Sequence, residues 1–216
     1  MLAKAVSESL NEPIPKIVGC GRTDSGVHAQ MYVANFKTES SVPADRIPLA
    51  LNSKLPYDIV CLSAEEVEDA FDASGSAVKK CYTYRILNSK ISDPFLFPFT
   101  YHVKFPLDID KMKQAAVHFV GTHDFVGFAA SGFTVKTTIR TVYSVIINKD
   151  EDVITIEITG NGFLYNMVRI IAGTLISVGR GEIHPDMIPD IILSKDRDRA
   201  GITAPAKGLC LTEVFY

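Results

Sequence analysis

In Val153-Ile154-Thr155-Ile156-Glu157-Ile158-Thr159, Ile154, Ile156 and Ile158 alternate with Thr155, Glu157 and Thr159, the period-two pattern of a strand with one face buried and the other wet. Residues 138–148 form a second β-prone run just upstream, and the polar stretch 149–152 between them suits the tip of a hairpin. In residues 163–178, Met167, Ile170, Ile171, Thr174, Leu175 and Val178 recur at helical spacing and Gly179 marks a stop, with Arg169 off the apolar stripe. A hairpin followed at once by an apolar helix predicts an α+β architecture, with helices packed on a largely antiparallel sheet.

The neighbouring segments extend this pattern. Residues 80–87 read as a long strand with Tyr82, Tyr84 and Ile86 on one face, 209–215 as a closing strand, and 58–62 as a short one. Asp108 reads as the N-cap of a helix that carries Ile109, Met112, Ala116, Phe119 and Val120 and is closed by Gly121. Shorter helices are expected at 44–51 and 186–193, and residues 88–98, with Pro94 and Pro98, form the longest irregular segment. Nearer the N-terminus, the apolar runs 16–20 and 31–36 read as strands joined by the turn-rich residues 21–30.

The chain has 216 residues, 47% hydrophobic and 22% charged, an ordinary globular composition that excludes disordered and disulfide-stapled classes. A net charge of -3 argues against holding nucleic acid by bulk charge while leaving a local basic groove open. Cys20, Cys61, Cys81 and Cys210 are far apart, fall in strand-like stretches and form no C-x-x-C pair, so they read as free thiols of a reducing compartment. No run approaches the length of a membrane span, and residues 1–11 lack the apolar core of a leader. A soluble, cytoplasmic chain without membrane contact is expected. His102, His118 and His123 with Asp124 show no metal-ligand spacing, and neither metal nor cofactor is expected.

The chemistry concentrates in Gly21-Arg22-Thr23-Asp24-Ser25-Gly26-Val27-His28-Ala29. Asp, Ser and Gly are common turn residues, so a purely structural turn is one reading of it. A hydrolase triad from Asp24, Ser25 and His28 is disfavoured because three members of one tight turn rarely converge on one line of attack. A phosphate loop would need the lysine and hydroxyl that this segment lacks.

The whole segment resembles the signature loop G-R-T-D-[AS]-G-V-H of the tRNA pseudouridine synthase A family. Lys80-Cys81-Tyr82-Thr83-Tyr84 is similar to the family's K-x-Y-x-Y strand, and Phe163-Leu164-Tyr165-Asn166-Met167-Val168-Arg169 to its F-x-x-x-M-V-R helix start. Gly121-Thr122-His123-Asp124-Phe125 and Thr203-Ala204-Pro205-Ala206-Lys207-Gly208-Leu209 are similar to family segments in the right order, and the resemblance covers 15–216.

The resemblance implies a cofactor-free isomerase that converts uridines 38, 39 and 40 of the tRNA anticodon arm to pseudouridine. It also implies the pseudouridine synthase fold, two similar halves around a central cleft, usually in a homodimer, with boundaries here at 1–100 and 101–216. Asp24 takes the family's position for the carboxylate beside C1′, as nucleophile or as base toward the ribose. A carboxylate enclosed with a flipped base loses hydration, which works against its charged form, and Arg169 takes the position of the cation that offsets this. Its planar fork can give a carboxylate two hydrogen bonds; a solvated helix-surface arginine is the alternative. Tyr82 takes the position that stacks on the flipped uracil, with plain strand packing as its alternative. Arg22, Thr23, His28, Lys80 and Arg85 are the expected substrate contacts.

Two departures from the family stand out. Phe71-Asp72-Ala73-Ser74 has a serine where relatives carry an arginine that would touch RNA. Relatives also begin with a strand and most of a helix before the point where this chain starts, so a missing strand and exposed sheet edges are expected. Three functions remain open on sequence: an active synthase, a catalytically weak homologue that only binds RNA, and a small-molecule enzyme built on Asp24.

Overall fold

The alternating run at 153–159 lies in the middle of the main sheet of the computed structural model, which describes residues 1–13, 15–132 and 135–216. In chain order the regular elements are α1 (Leu2–Leu10), β1 (Val18–Gly19), β2 (His28–Ala29), β3 (Ala34–Asn35), α2 (Ile47–Asn52), β4 (Lys79–Leu87) and β5 (Tyr101–His102). There follow α3 (Ile109–Ala116), β6 (Gly121–Asp124), β7 (Ile139–Asp150), β8 (Val153–Gly160), α4 (Met167–Gly179), α5 (Ile188–Ser194) and β9 (Leu209–Phe215). The described residues fall into two compact units, Met1–Arg22 with Val33–Ala77, and Thr23–Tyr32 with Val78–Tyr216.

The first unit is held by few regular hydrogen bonds. β1 and β3 pair antiparallel over two residues each, Val18 opposite Asn35 and Gly19 opposite Ala34. Its core is Ala5, Val6 and Leu10 of α1 against Ile47 and Leu51 of α2. The segment predicted as a strand at 58–62 is irregular: Asn52 binds Cys61 reciprocally, donating to its carbonyl at 2.9 Å and accepting its N–H at 2.7 Å. Those backbone groups are thereby satisfied without a partner strand.

The second unit contains the α+β architecture. Its strands run β2-β9-β4-β8-β7-β6, with β5 paired parallel to the end of β4. Every other pairing is antiparallel except β2 with β9. Ile154, Ile156 and Ile158 are fully buried, as the alternation predicts, and each such side chain contributes about 1.5–3 kcal/mol when removed from water. Tyr84 and Ile86 of β4 join the same core, with Tyr82 packed at its margin. Asp108 caps α3 by accepting from the Lys111 N–H; the helix then tightens to a 3-10 turn at Val117–Phe119, and Gly121 begins β6 instead of closing the helix.

The apolar helix starts at Met167, four residues later than the pattern suggests, behind Asn166 in the left-handed region (φ 62). Its inner face meets backbone directly: a Cβ on Gly173 would stand 1.9 Å from the Ile202 carbonyl oxygen. Cys61, Cys81 and Cys210 are free thiols, and burial pushes the Cys61 and Cys210 thiols above their ordinary range. Among the described residues no helix is long and apolar enough to cross a membrane.

Candidate active site

Asp24 opens a tight turn in which the Val27 N–H donates to its carbonyl at 3.0 Å and Gly26 takes φ 82, a conformation that glycine adopts without strain. The chain leaves this turn as β2, pairing His28 with Cys210 and Ala29 with Leu211 of β9. This two-residue parallel strand, which the alternation could not reveal, anchors the Asp24 turn to the main sheet.

Arg169 lies in the first turn of α4, and its Nη1 donates to Asp24 Oδ2 at 2.7 Å. The pair is partly shielded, with side-chain exposures of 16% for Arg169 and 24% for Asp24. That short contact is a charge-assisted hydrogen bond between residues 145 positions apart in sequence. The geometry differs from a two-pronged fork, because other acceptors share the guanidinium. Nε donates to the Ala204 carbonyl at 2.8 Å, and Nη1 also donates to Asn166 Oδ1 at 2.7 Å. Arg169 therefore engages one carboxylate oxygen, Oδ2, of Asp24.

Tyr82 sits where β4 and β9 lose register: Cys81 faces Glu213 and Tyr82 faces Leu211, so Thr212 is the extra residue of a bulge. The Thr212 hydroxyl donates to the Cys81 carbonyl at 3.1 Å. Bulges re-aim neighbouring side chains, and the Tyr82 ring meets Phe163 edge-on at 5.3 Å between centroids. Tyr82 and Tyr84 share a face of β4 by alternation.

The remaining expected site residues are dispersed. Thr23 is exposed beside Asp24, while Arg22, also exposed, ends the first segment of the other unit. His28 is engaged by the Pro98 carbonyl at 2.9 Å and by the Phe99 ring at 4.9 Å. Lys80 is half-buried on β4 opposite Gly160 and Val214. Arg85 lies on the opposite face of β4 from Tyr82, and its charge acts on the Cys210 thiol. Among the described residues no cluster of His, Cys, Asp and Glu could hold a metal ion.

The sequence reading gave no role to residues 201–208. Ala204 exchanges backbone bonds with α4 by donating its N–H to the Arg169 carbonyl at 3.2 Å and accepting Arg169 Nε. The Thr174 hydroxyl accepts the Gly201 N–H at 2.9 Å. The small side chains of this stretch were the available signal, since they let a strap of backbone lie directly on a helix.

Residues 115–216 match the family described as tRNA pseudouridine synthase. The chain is 52% identical over 216 residues to tRNA pseudouridine synthase A of Thermoanaerobacter sp. (strain X514), spanning all of this chain and 88% of that protein. It belongs to the tRNA pseudouridine synthase A family. tRNA pseudouridine synthase A 2 of Clostridium tetani is 47% identical across 100% of this chain and 86% of its own length. The Bacillus subtilis tRNA pseudouridine synthase A is 46% identical across 99% and 86%. The protein is thus an isomerase that forms pseudouridine in tRNA, and the pseudouridine synthase fold accounts for its mostly antiparallel sheet with flanking helices.

Proposed function

We propose that the enzyme isomerises uridines 38, 39 and 40 of the tRNA anticodon arm, with Asp24 as the carboxylate at C1′, Arg169 as its cationic partner and Tyr82 as the platform for the uracil. In this reaction the N1–C1′ bond breaks, the uracil turns in its plane, a C5–C1′ bond forms, the C5 proton leaves and N1 takes up a proton, so the product is an isomer of the substrate. Asp24 acts on the ribose as nucleophile or as base, and an aromatic face such as Tyr82 can hold a base while it rotates. The Asp24–Arg169 pair carries this reading: it is short and partly shielded, and it leaves one carboxylate oxygen uncommitted to Arg169. Arg22, Thr23, His28, Lys80 and Arg85 serve as substrate contacts in the same proposal, mostly to phosphate and sugar.

We further place the enzyme in the cytoplasm, where its tRNA substrate is made, and propose a homodimer. Exposed large apolar side chains along one irregular segment, Ile91 (82%), Phe95 (87%) and Phe97 (58%), support the latter, because exposed apolar surface marks interaction sites.

The test is tritium release from tRNA labelled at C5 of uridine. Asp24→Asn should lower turnover by about a thousandfold or more while tRNA affinity stays within a few-fold. Arg169→Met should also lose activity, because it removes the charge-assisted hydrogen bond that holds Asp24 Oδ2 in place. Turnover of Asp24→Asn near the parent rate would remove Asp24 from this role, and site-specific mapping of pseudouridine in the product tRNA decides positions 38–40.

A further inference from the structure

Tyr84 is fully buried, and its hydroxyl donates to the Pro205 carbonyl at 2.8 Å. Pro205 is the middle of the strap. On one side of it Ala204 holds Arg169 through Nε. On the other, Ala206 lies against the Asp24 turn, its Cβ 3.5 Å from where a Cβ on Gly26 would stand. The strap also rests on the Tyr84 ring, since a Cβ on Gly208 would come within 2.7 Å of Tyr84 Cζ and 2.9 Å of the Arg85 carbonyl oxygen.

We propose that Tyr84 is a positioning residue for the reaction: its hydroxyl fixes the strap, and the strap sets the geometry between Asp24 and Arg169. A fully buried phenol has to satisfy its O–H, and here the acceptor is the carbonyl midway between the supports of both charged groups. Desolvation pushes the Tyr84 phenol far above its ordinary value, against an opposing pull from Arg169, so the group remains a donor at any working pH. Arg197 secures the strap further along, donating Nη1 to the Gly201 carbonyl at 2.9 Å and Nη2 to Thr203 Oγ1 at 3.1 Å. This inference rests on the assignment of Asp24 and Arg169 to the chemistry.

Tyr84→Phe removes one oxygen and keeps the ring. Displacement of a reacting group by a fraction of an ångström to one ångström costs up to about a hundredfold in rate, so kcat in the tritium-release assay should fall about tenfold or more. KM for tRNA should stay within about twofold, because phosphate contacts elsewhere supply most of the affinity. Arg197→Met should give the same kcat-only loss, and combining Tyr84→Phe with Arg169→Lys should cost less than the product of the two separate losses, as for groups acting as one unit. An unchanged kcat in folded Tyr84→Phe overturns the proposal, as does a loss that merely tracks the folded fraction. Should Tyr84→Phe fail to fold, an unchanged kcat in Arg197→Met overturns it instead. Asp24→Asn run alongside separates the two ideas: an active Asn variant defeats the catalytic assignment, whereas an inactive Asn variant beside a fully active Tyr84→Phe defeats only the positioning role.

Discussion

The two units of this chain are built on different principles. The first, with its two-residue strands and a small buried cluster among its described residues, depends on side chains that satisfy backbone in place of ladders: Asn52 on Cys61, and Asn35 on Phe71 and Ala73. The second has a seven-stranded sheet, a fully buried isoleucine row and a helix in contact with backbone. The Asp24 turn belongs with the second although its chain neighbours on both sides belong to the first. Two β2 residues paired with β9 and the strap residue Ala206 beside Gly26 hold it to the second unit, and the proposed role of Asp24 in catalysis calls for such a mount.

Gly173 provides the sharpest test of that contrast. Gly173→Ala should destabilise the enzyme by about 3 kcal/mol, because the obstacle to the added methyl is Ile202 backbone. It should also cost activity at temperatures where the protein remains folded, through displacement of residues 201–204. Thermal unfolding beside tritium release measures both, and a parent-like melting temperature would show that the strap does not lie directly on α4.

Native-state hydrogen exchange compares the units directly. Amides of β4, β7, β8 and α4 should exchange slowest, at the global opening limit, while those around β1, β3 and α2 open more readily, since local opening follows the density of buried contacts. Uniform protection across the chain would break the comparison.

The smallest expected effect is at Ser74 of the first unit, exposed in a turn where Asp72 Oδ1 accepts the Ser74 and Gly75 N–H groups. Ser74→Arg should tighten tRNA binding and steepen the salt dependence of log K by about one unit, because one more cation at the RNA releases about one more counterion. An unchanged slope means that this turn does not face tRNA.

Much of the second unit was legible in sequence. The hairpin, β9, the Asp108 cap and the buried face of β4 all depend on periodicity or on a local side-chain bond, and both are written within a few neighbouring residues. The first unit was less legible for the same reason: residues 58–62 have strand-like composition, but no strand among the described residues pairs with them, and Asn52 takes the hydrogen bonds of Cys61 instead. β2 was equally hidden, since a two-residue parallel pairing depends on a partner 182 residues away.

By itself, the sequence determined the family and the α+β class and singled out Asp24, Tyr82 and Arg169 for the proposed site, because a motif and a period are local properties of the chain. Only the tertiary structure decided how Arg169 shares its donors among Asp24, Asn166 and Ala204, and that residues 201–208 lie between Tyr84 and the charged pair. A guanidinium donates to whichever acceptors packing brings within reach, and here packing brought in a helix cap, a turn and a strap that are distant from one another in sequence.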